Sequence, residues 1–111
     1  MSRDHAAGSV YVAPVPFEDG RGLRRRPVVV VGSRRYWEHD RAAVVCPVTT
    51  AEARPGDVSL DWRAASLRRP SRVRPRPITL AKDLLEWEVG ALAKPDLAAL
   101  KRALKDVLDL G

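Results

Sequence analysis

Two short, uninterrupted apolar runs limit the folds that this chain can adopt. The runs are PVVVVG at residues 27–32 and AAVVCPVT at residues 42–49. Valine is stiff at its branched Cβ and favours extended backbone, and both runs are too short for a buried helix. Because neither run alternates apolar with polar residues, we expect both strands to be covered on both faces. The sequence therefore predicts a sheet in which these runs are the central strands.

Further β-type segments surround the two runs. In chain order they are SVYVAPV (9–15), DVSLDW (57–62), SRVR (71–74), ITL (78–80) and WEVGAL (87–92). Pro14 and Pro16 lack amide donors, so the first of these segments is expected at a sheet edge. The glycine-rich, charged stretch 16–26 is expected to be a long, mobile, cationic loop, and SRRYWEHDR at 33–41 a polar connection.

The end of the chain has the pattern of an amphipathic helix. Pro95 and Asp96 suit a first helical turn, and apolar side chains then recur at intervals of three and four residues. Short strands followed by one helix predict a mainly β fold, a small barrel of short antiparallel strands with the helix packed across it. We expect a flexible N-terminus at residues 1–8 and a single domain at residues 9–111.

Length and composition exclude several classes of protein. A chain of 111 residues suits one domain, and no apolar run approaches the roughly 20 residues that would cross a bilayer. We therefore expect a soluble, cytoplasmic protein that does not bind a membrane. Cys46 is the single cysteine, so it is interpreted as a small apolar core residue. His5, His39 and the carboxylates show no metal-ligand spacing, so neither a metal nor another cofactor is predicted.

The positive charge is concentrated in the first part of the chain. The formal net charge is +6, and residues 1–81 hold fifteen of the twenty Lys and Arg against eight Asp and Glu. Sixteen of the cations are arginine, whose planar fork matches phosphate oxygens, so a nucleic acid is a candidate partner. A coding bias towards Arg, Ala, Val and Pro explains the same excess, and composition leaves both explanations open.

One arrangement of side chains has catalytic potential. If the two apolar runs are antiparallel neighbours, the start of the first meets the end of the second, which brings Arg26 close to Thr49. A permanently charged guanidinium beside a hydroxyl could bind a phosphodiester and stabilise the charge that develops on it. Alternatively, Arg26 is a solvated arginine and Thr49 a hydrophilic strand end. Trp37, Trp62 and Trp87 are likewise either base-stacking or core residues.

The order of these motifs resembles the MazF/PemK family of type II toxin–antitoxin toxins. The matching segments are GRGLRRRPVVVVG, VVCPVTT, PGDVSL, PSRV and ITLAKDLLEWEVGAL, followed by the leucine-rich helix. The resemblance extends from about Ser9 to Leu110. It implies an SH3-like PemK/CcdB barrel and a homodimeric endoribonuclease that needs no metal. Such toxins cut single-stranded RNA, including mRNA, at short sequences, and an acidic, MazE-like antitoxin silences them.

The resemblance also implies roles for particular residues. Arg26 would be the catalytic arginine and Thr49 the catalytic threonine, while the group that takes the 2′-hydroxyl proton stays open. The RNA contacts would come from Glu18, Arg21, Arg24, Arg25, Trp37, Thr50, Arg68, Arg69 and Arg72. Ile78 stands where the family commonly has an arginine, a cation that Arg74 or Arg76 could replace. Two alternatives remain, a CcdB-like gyrase poison without catalysis and a non-catalytic nucleic-acid-binding module.

Overall fold

The computed structural model describes residues 7–111, so most of the predicted flexible N-terminus, including His5, lies outside the described residues. Gly8 already belongs to the ordered part, since its amide donates to the carbonyl oxygen of Val30 at 2.8 Å. In chain order the elements are β1 (Ser9–Pro16), β2 (Leu23–Val30), α1 (Arg34–His39), β3 (Ala42–Thr49), β4 (Val58–Ser59), β5 (Arg72–Val73), β6 (Ile78–Ala81), a 3₁₀ turn (Lys82–Leu84), β7 (Trp87–Ala91) and α2 (Lys94–Val107).

The strands form one antiparallel, barrel-type sheet with the order β4-β5-β3-β2-β1-β7, and β6 pairs with the first half of β3. The prediction of a mainly β fold with a C-terminal helix is confirmed. The two apolar runs are indeed adjacent central strands, with Val29 opposite Cys46 and Val28 opposite Pro47. They are also covered on both faces, because Val28 belongs to one core cluster and Val29 to the other.

The first core cluster lies on the face of the sheet that includes Tyr11, Val28 and Val45. Trp37 packs against this cluster, with its ring centroid 5.9 Å from that of Tyr11. The second cluster lies on the other face, where Leu100 of α2 is fully buried. Helix α2 therefore closes the second core. None of the helices in residues 7–111 is long and apolar enough to span a bilayer.

Strand β1 was predicted to lie at a sheet edge. This prediction was wrong, because β2 pairs with one side of β1 and β7 with the other. The prolines are tolerated because the β7 ladder ends at the pair Val12 and Trp87. Beyond that pair, Pro14 needs no amide donor on the β7 side. The prediction of an edge position rested on the prolines alone. A proline within a sheet requires only that no strand pairs on the side where its amide hydrogen would have pointed.

The prediction of a loop over residues 16–26 was wrong at both of its ends. Pro16 belongs to β1, and Leu23 to Arg26 belong to β2, where Arg26 pairs with Ala13. The loop itself is short, and the Phe17 amide closes it by donating to the Gly22 carbonyl at 2.9 Å. Pairing with the proline-containing end of β1 keeps this arginine-rich segment extended, and its side chains therefore alternate between the two faces.

Two other segments differ from the sequence prediction. The polar connection at 33–41 contains helix α1, whose first turn is capped when the Ser33 hydroxyl accepts from the Tyr36 amide at 3.4 Å. The strand expected over 57–62 is only Val58–Ser59. It ends early because the Asp61 amide donates at 2.7 Å to the Asp96 carboxylate of α2. A contact with a distant helix therefore replaces the strand hydrogen bond.

Gly90 of β7 allows the segment after β4 to approach the sheet. A Cβ at this position would lie 2.6 Å from the carbonyl oxygen of Ala65 and 3.1 Å from the Cβ of Ser66. The distance to the backbone oxygen is shorter than real Cβ contacts, so a side chain at position 90 would force the backbone to move, and packing favours glycine here.

We expect Gly90→Ala to destabilise the protein by about 1–3 kcal/mol, because backbone must move to accommodate the methyl group. Gly32→Ala is the matched control, since its Cβ would meet only the Val44 Cβ at 3.9 Å. Denaturant unfolding of both variants measures the difference. Equal free energies of unfolding would contradict this account of Gly90.

Candidate functional site

The ends of β2 and β3 meet at one rim of the sheet. Their ladder runs from Val30 opposite Val45 to Val28 opposite Pro47, and Arg26 and Thr49 each lie two residues beyond its last pair, where they line the same two cavities. Thr49 also pairs on its other side with Arg72 of β5. The structure therefore brings Arg26 and Thr49 to the same rim, as the sequence analysis expected of antiparallel neighbours.

Arg26 and Thr49 also share a face of the sheet. Side chains alternate along a strand, so Arg26 follows Val28 and Thr49 follows Val45, both of the first core cluster. On this face the two residues line a cavity of about 390 Å³, which we call the arginine cavity. Its charged lining consists of Glu18, Asp19, Arg24, Arg26, Arg54, Arg74 and Arg76.

The arginine cavity perturbs Arg26. Burial lowers the pKa of its guanidinium, and repulsion from Arg24 and Arg74 lowers it further, while Glu18 opposes the effect. The Nε atom of Arg26 is buried without a hydrogen-bond partner. Arginine remains cationic near neutral pH. The result is a partly desolvated cation with an unused donor, which is a favourable arrangement for binding an anion.

The Thr49 hydroxyl is held in position by its own loop. Its oxygen accepts a hydrogen bond from the Ala51 amide at 3.0 Å. This bond uses a lone pair of the oxygen, so the hydroxyl proton can be donated to another acceptor. Arg72 donates to the Ala51 carbonyl and so holds the same loop from the neighbouring strand.

Glu18 is the acid of the arginine cavity that forms ion pairs with its arginines. Its carboxylate lies 2.7 Å from Arg54 Nη1, 3.2 Å from Arg76 Nη1 and 3.8 Å from Arg74 Nη1. The hydrogen bond from Arg54 is the main reason why the pKa of Glu18 is lowered. These contacts join the β1–β2 loop to three arginines from distant parts of the chain.

Arg74 is the fixed member of this cluster. Its side chain is only 8% exposed, and its Nε lies 3.4 Å from the carboxylate of Asp57, which is itself 2% exposed. Its Nη2 donates to the Glu52 carbonyl at 3.1 Å. These contacts hold the buried Arg74 side chain in one position, whereas the side chains of Arg54 and Arg76 are about half exposed.

The Glu18 contacts predict a pH dependence. The folded pKa of Glu18 is below its ordinary value, so its contribution to stability is complete above that ordinary value and is lost as pH falls through the lowered one. Glu18→Gln should therefore lower Tm at neutral pH, and the difference from wild type should disappear in acid. Thermal unfolding between neutral and acidic pH tests this. A difference that is constant with pH would contradict it.

A second, wider cavity of about 790 Å³ begins at the same rim. We call it the wide cavity. Of the residues predicted to contact RNA, it is lined by Arg24, Arg25, Thr50, Arg68 and Arg69, together with Arg26 and Thr49. Gly90 contributes to this wall, because the segment that it admits continues from Ser66 into Arg68 and Arg69.

The wide cavity also contains residues that the sequence analysis did not place in a site. Trp87 of β7 lines it and is 55% exposed, although it was left as either a core or a stacking residue. Glu88 and Ser66 line it as well. Their strand and turn are far from Arg26 in sequence, and only the β1–β7 pairing brings them near.

Three of the predicted RNA contacts lie outside both cavities. Arg21 is exposed in the β1–β2 loop, where its amide donates to Asp19 at 2.9 Å. Trp37 lies in α1 beyond the opposite end of β2, against Tyr11 and under the Lys82 ammonium at 4.9 Å. Arg72 supports the loop after Thr49. Arg54 was missed, because a lone arginine before a Pro-Gly turn gives no sequence signal.

No group of three His, Cys, Asp or Glu in the described residues could hold a metal ion. Cys46 is fully buried, and burial raises the pKa of its thiol to about 12. That thiol is therefore a core group, in agreement with its interpretation from sequence.

Comparison with known proteins agrees with the fold. Residues 6–108 match a family model described as the PemK-like, MazF-like toxin of type II toxin–antitoxin systems. The chain is similar to the Mycobacterium tuberculosis toxin MazF-mt6, at 24% identity and TM-score 0.76 over 93% of this chain and 98% of that one. No curated protein sequence matches the chain.

Two complexes are similar as well. An endoribonuclease in complex with its cognate antitoxin from a mycobacterial species has 22% identity and TM-score 0.75 over 99% of this chain and 98% of that one. A MazE–MazF complex from Deinococcus radiodurans has 19% identity and TM-score 0.78 over 99% of this chain and 100% of that one. The structures support the fold, and the family match identifies the chain: it belongs to the MazF/PemK family of toxins of type II toxin–antitoxin systems.

Proposed function

We propose that this chain is a metal-independent endoribonuclease that cleaves single-stranded RNA, mRNA in particular, at short sequences in the cytoplasm. The main observation in support is that Arg26 and Thr49 share one face and one rim of the sheet, in a cavity with an excess of arginine. Membership of the toxin family supports the same activity.

The proposed reaction uses the substrate's own nucleophile. The 2′-oxygen of a ribose forms a bond to the adjacent phosphorus, and the bond from phosphorus to the 5′-oxygen breaks. One proton leaves the 2′-hydroxyl, and one is delivered to the departing oxygen. The products carry a 2′,3′-cyclic phosphate and a 5′-hydroxyl. The protein has to supply charge stabilisation and proton transfer, and it needs no nucleophile of its own.

Arg26 is suited to the phosphorane-like transition state, which has one more negative charge than the substrate. Its partly desolvated guanidinium has an unused Nε donor. In a less polar site each such hydrogen bond is stronger than in water. In the proposed reaction Arg26 also donates a hydrogen bond to the departing 5′-oxygen. Thr49 donates its hydroxyl proton to a phosphate oxygen.

The wide cavity suits the bases next to the cut. Trp87 offers an exposed aromatic face, and Arg68 and Arg69 offer planar cations on the same wall. Unpaired bases stack on aromatic rings and on guanidinium groups. We include these three residues and Thr50 in the proposed RNA contact and leave Trp37 out of it.

The partners in this proposal are a second copy of the chain and an acidic antitoxin. Similar structures include toxins in complex with a cognate antitoxin, which supports an antitoxin for this chain. An acidic peptide is complementary to the arginines at the shared rim. We expect the antitoxin to cover both cavities of each subunit in a homodimer.

Attack by the substrate's own 2′-oxygen requires a 2′-hydroxyl on the sugar at the cut. Purified protein in EDTA should cut RNA to 2′,3′-cyclic phosphate ends, and a substrate with a single 2′-deoxy sugar at the cut should stay intact. Mass spectrometry of the products tests both points. Cleavage of the deoxy substrate would contradict internal attack, and intact RNA with arrested gyrase would indicate a gyrase poison instead.

The proposed roles of Arg26 and Thr49 predict that replacing either residue reduces RNA cleavage. Arg26→Ala should lower the cleavage rate about 10²-fold or more, because it removes transition-state charge stabilisation, and should abolish growth arrest on expression. Thr49→Ala should be impaired and Thr49→Ser largely active, since serine keeps the hydroxyl. Arg35→Ala, the same charge change on exposed α1, should behave like wild type. Unchanged cleavage by Arg26→Ala would remove Arg26 from the site.

A further inference from the structure

We propose that Arg54, Arg74 and Arg76 form a second phosphate subsite beside Arg26, and that the Glu18 carboxylate occupies this subsite until a phosphodiester of the substrate displaces it. The inference rests on the proposed function, since the phosphodiester belongs to the RNA that Arg26 and Thr49 would cleave. It adds an internal competitor to that site.

The arginine cavity has an excess of positive charge. Five arginines line it against two acids, Glu18 and Asp19, and Asp57 contacts the cluster from beneath through Arg74. Asp19 is used locally, because its carboxylate accepts from the Arg21 amide at 2.9 Å. The Glu18 carboxylate is therefore the main internal partner for an excess of positive charge, and the cavity has room for a further anion.

The arginine cavity also contains a buried donor that has no acceptor. The Nε atom of Arg26 is buried without a hydrogen bond, whereas the buried Nε of Arg74 has the Asp57 carboxylate 3.4 Å away. Buried donors are rarely left unpaired, and a charged one is more costly than a neutral one. Arg74 is also nine-tenths buried, so its position is fixed before a ligand arrives. An unpaired donor on Arg26 and a fixed cation at Arg74 in one cavity indicate a site that can bind more oxygen atoms than Glu18 supplies.

Glu18 is placed where its side chain can move away from the arginines. Its side chain is 61% exposed, and it belongs to the short loop between β1 and β2. Exposed ion pairs contribute little to stability individually, so moving this loop costs little. A carboxylate and a phosphodiester both present two oxygens to a guanidinium fork, and a phosphodiester bound at Arg26 would place neighbouring phosphates near this cluster.

The position of the cluster favours a nucleic acid over an acidic peptide as the ligand. Arg26 and Thr49 line the same cavity as the three arginines, and they also line the wide cavity with Trp87. A single strand could therefore have one phosphate at the cluster, the next at Arg26 and its bases in the wide cavity. A peptide of acidic residues alone presents no ring to stack on Trp87, whereas every unpaired base does.

Removal of the Glu18 charge tests the competition. Glu18→Gln should bind a mixed-sequence single-stranded DNA oligonucleotide roughly 3- to 10-fold more tightly than wild type, the range expected from releasing a few exposed ion pairs. DNA lacks the 2′-hydroxyl, so binding is measured without cleavage. Asp19→Asn is the matched control, because it makes the same change in net charge from the same loop. Equal gains in the two variants would overturn the proposal.

Removal of a subsite arginine tests the subsite itself. Arg76→Gln should weaken binding of the same oligonucleotide and reduce the slope of log affinity against log salt by about one. Arg41→Gln, an exposed arginine before the far end of β3, should keep the wild-type slope. Unchanged slopes in both variants would overturn the proposal even if Glu18→Gln were too unstable to study.

The outcomes separate this inference from the proposed function. Cleavage of RNA by the wild type with equal binding by Glu18→Gln and Asp19→Asn would leave the nuclease and remove the competition. Tighter DNA binding by Glu18→Gln, without cleavage of RNA by the wild type, would support the competition and remove the nuclease. If a polyglutamate peptide gained affinity in Glu18→Gln and the oligonucleotide did not, the cluster would be a peptide site and the proposal would be wrong.

Discussion

The antiparallel pairing of β1, β2 and β3 is the constraint on which the candidate site depends. The register that sets Val28 opposite Pro47 also sets Arg26 level with Thr49 and on the same face. A slip of one residue would transfer Arg26 to the other face, and the valines of β2 would exchange cores. Both cores are closed by buried side chains, so the packing that stabilises the sheet also fixes the geometry of this pair.

The cost of this arrangement is a concentration of like charges at one rim. Burial lowers the pKa of Arg26, and repulsion from Arg24 and Arg74 lowers it further, so the surroundings disfavour the charged state. The protein offsets the repulsion with two carboxylates of different kinds. Asp57 is buried and fixes Arg74, whereas Glu18 is exposed on a loop and can move. Any anion that enters the cavity reduces the remaining repulsion, so binding and electrostatic relief are coupled.

The candidate site has one wall formed by strands of the sheet and other walls formed by the irregular segments that connect the strands. Arg26 and Thr49 are in strands of the central sheet, while Arg54, Arg68 and Arg69 are in irregular segments. Gly90 permits the segment at Ala65 to contact β7, and Arg72 holds the loop after Thr49. Connections that present side chains around a rigid sheet can vary without loss of the fold.

The local pattern by itself determined the two central strands, the C-terminal helix and the meeting of Arg26 with Thr49. These follow from β-branched runs, a helical period and the geometry of antiparallel neighbours. Only the tertiary structure decided that β1 is internal, that Arg24 to Arg26 are in a strand, and that DVSLDW breaks after Ser59, because each depends on a partner distant in sequence. The same reason applies to Arg54, Trp87 and the Glu18 contacts. A side chain's neighbours across a sheet or between loops are set by folding, whereas its neighbours along a strand are already present in the order of residues.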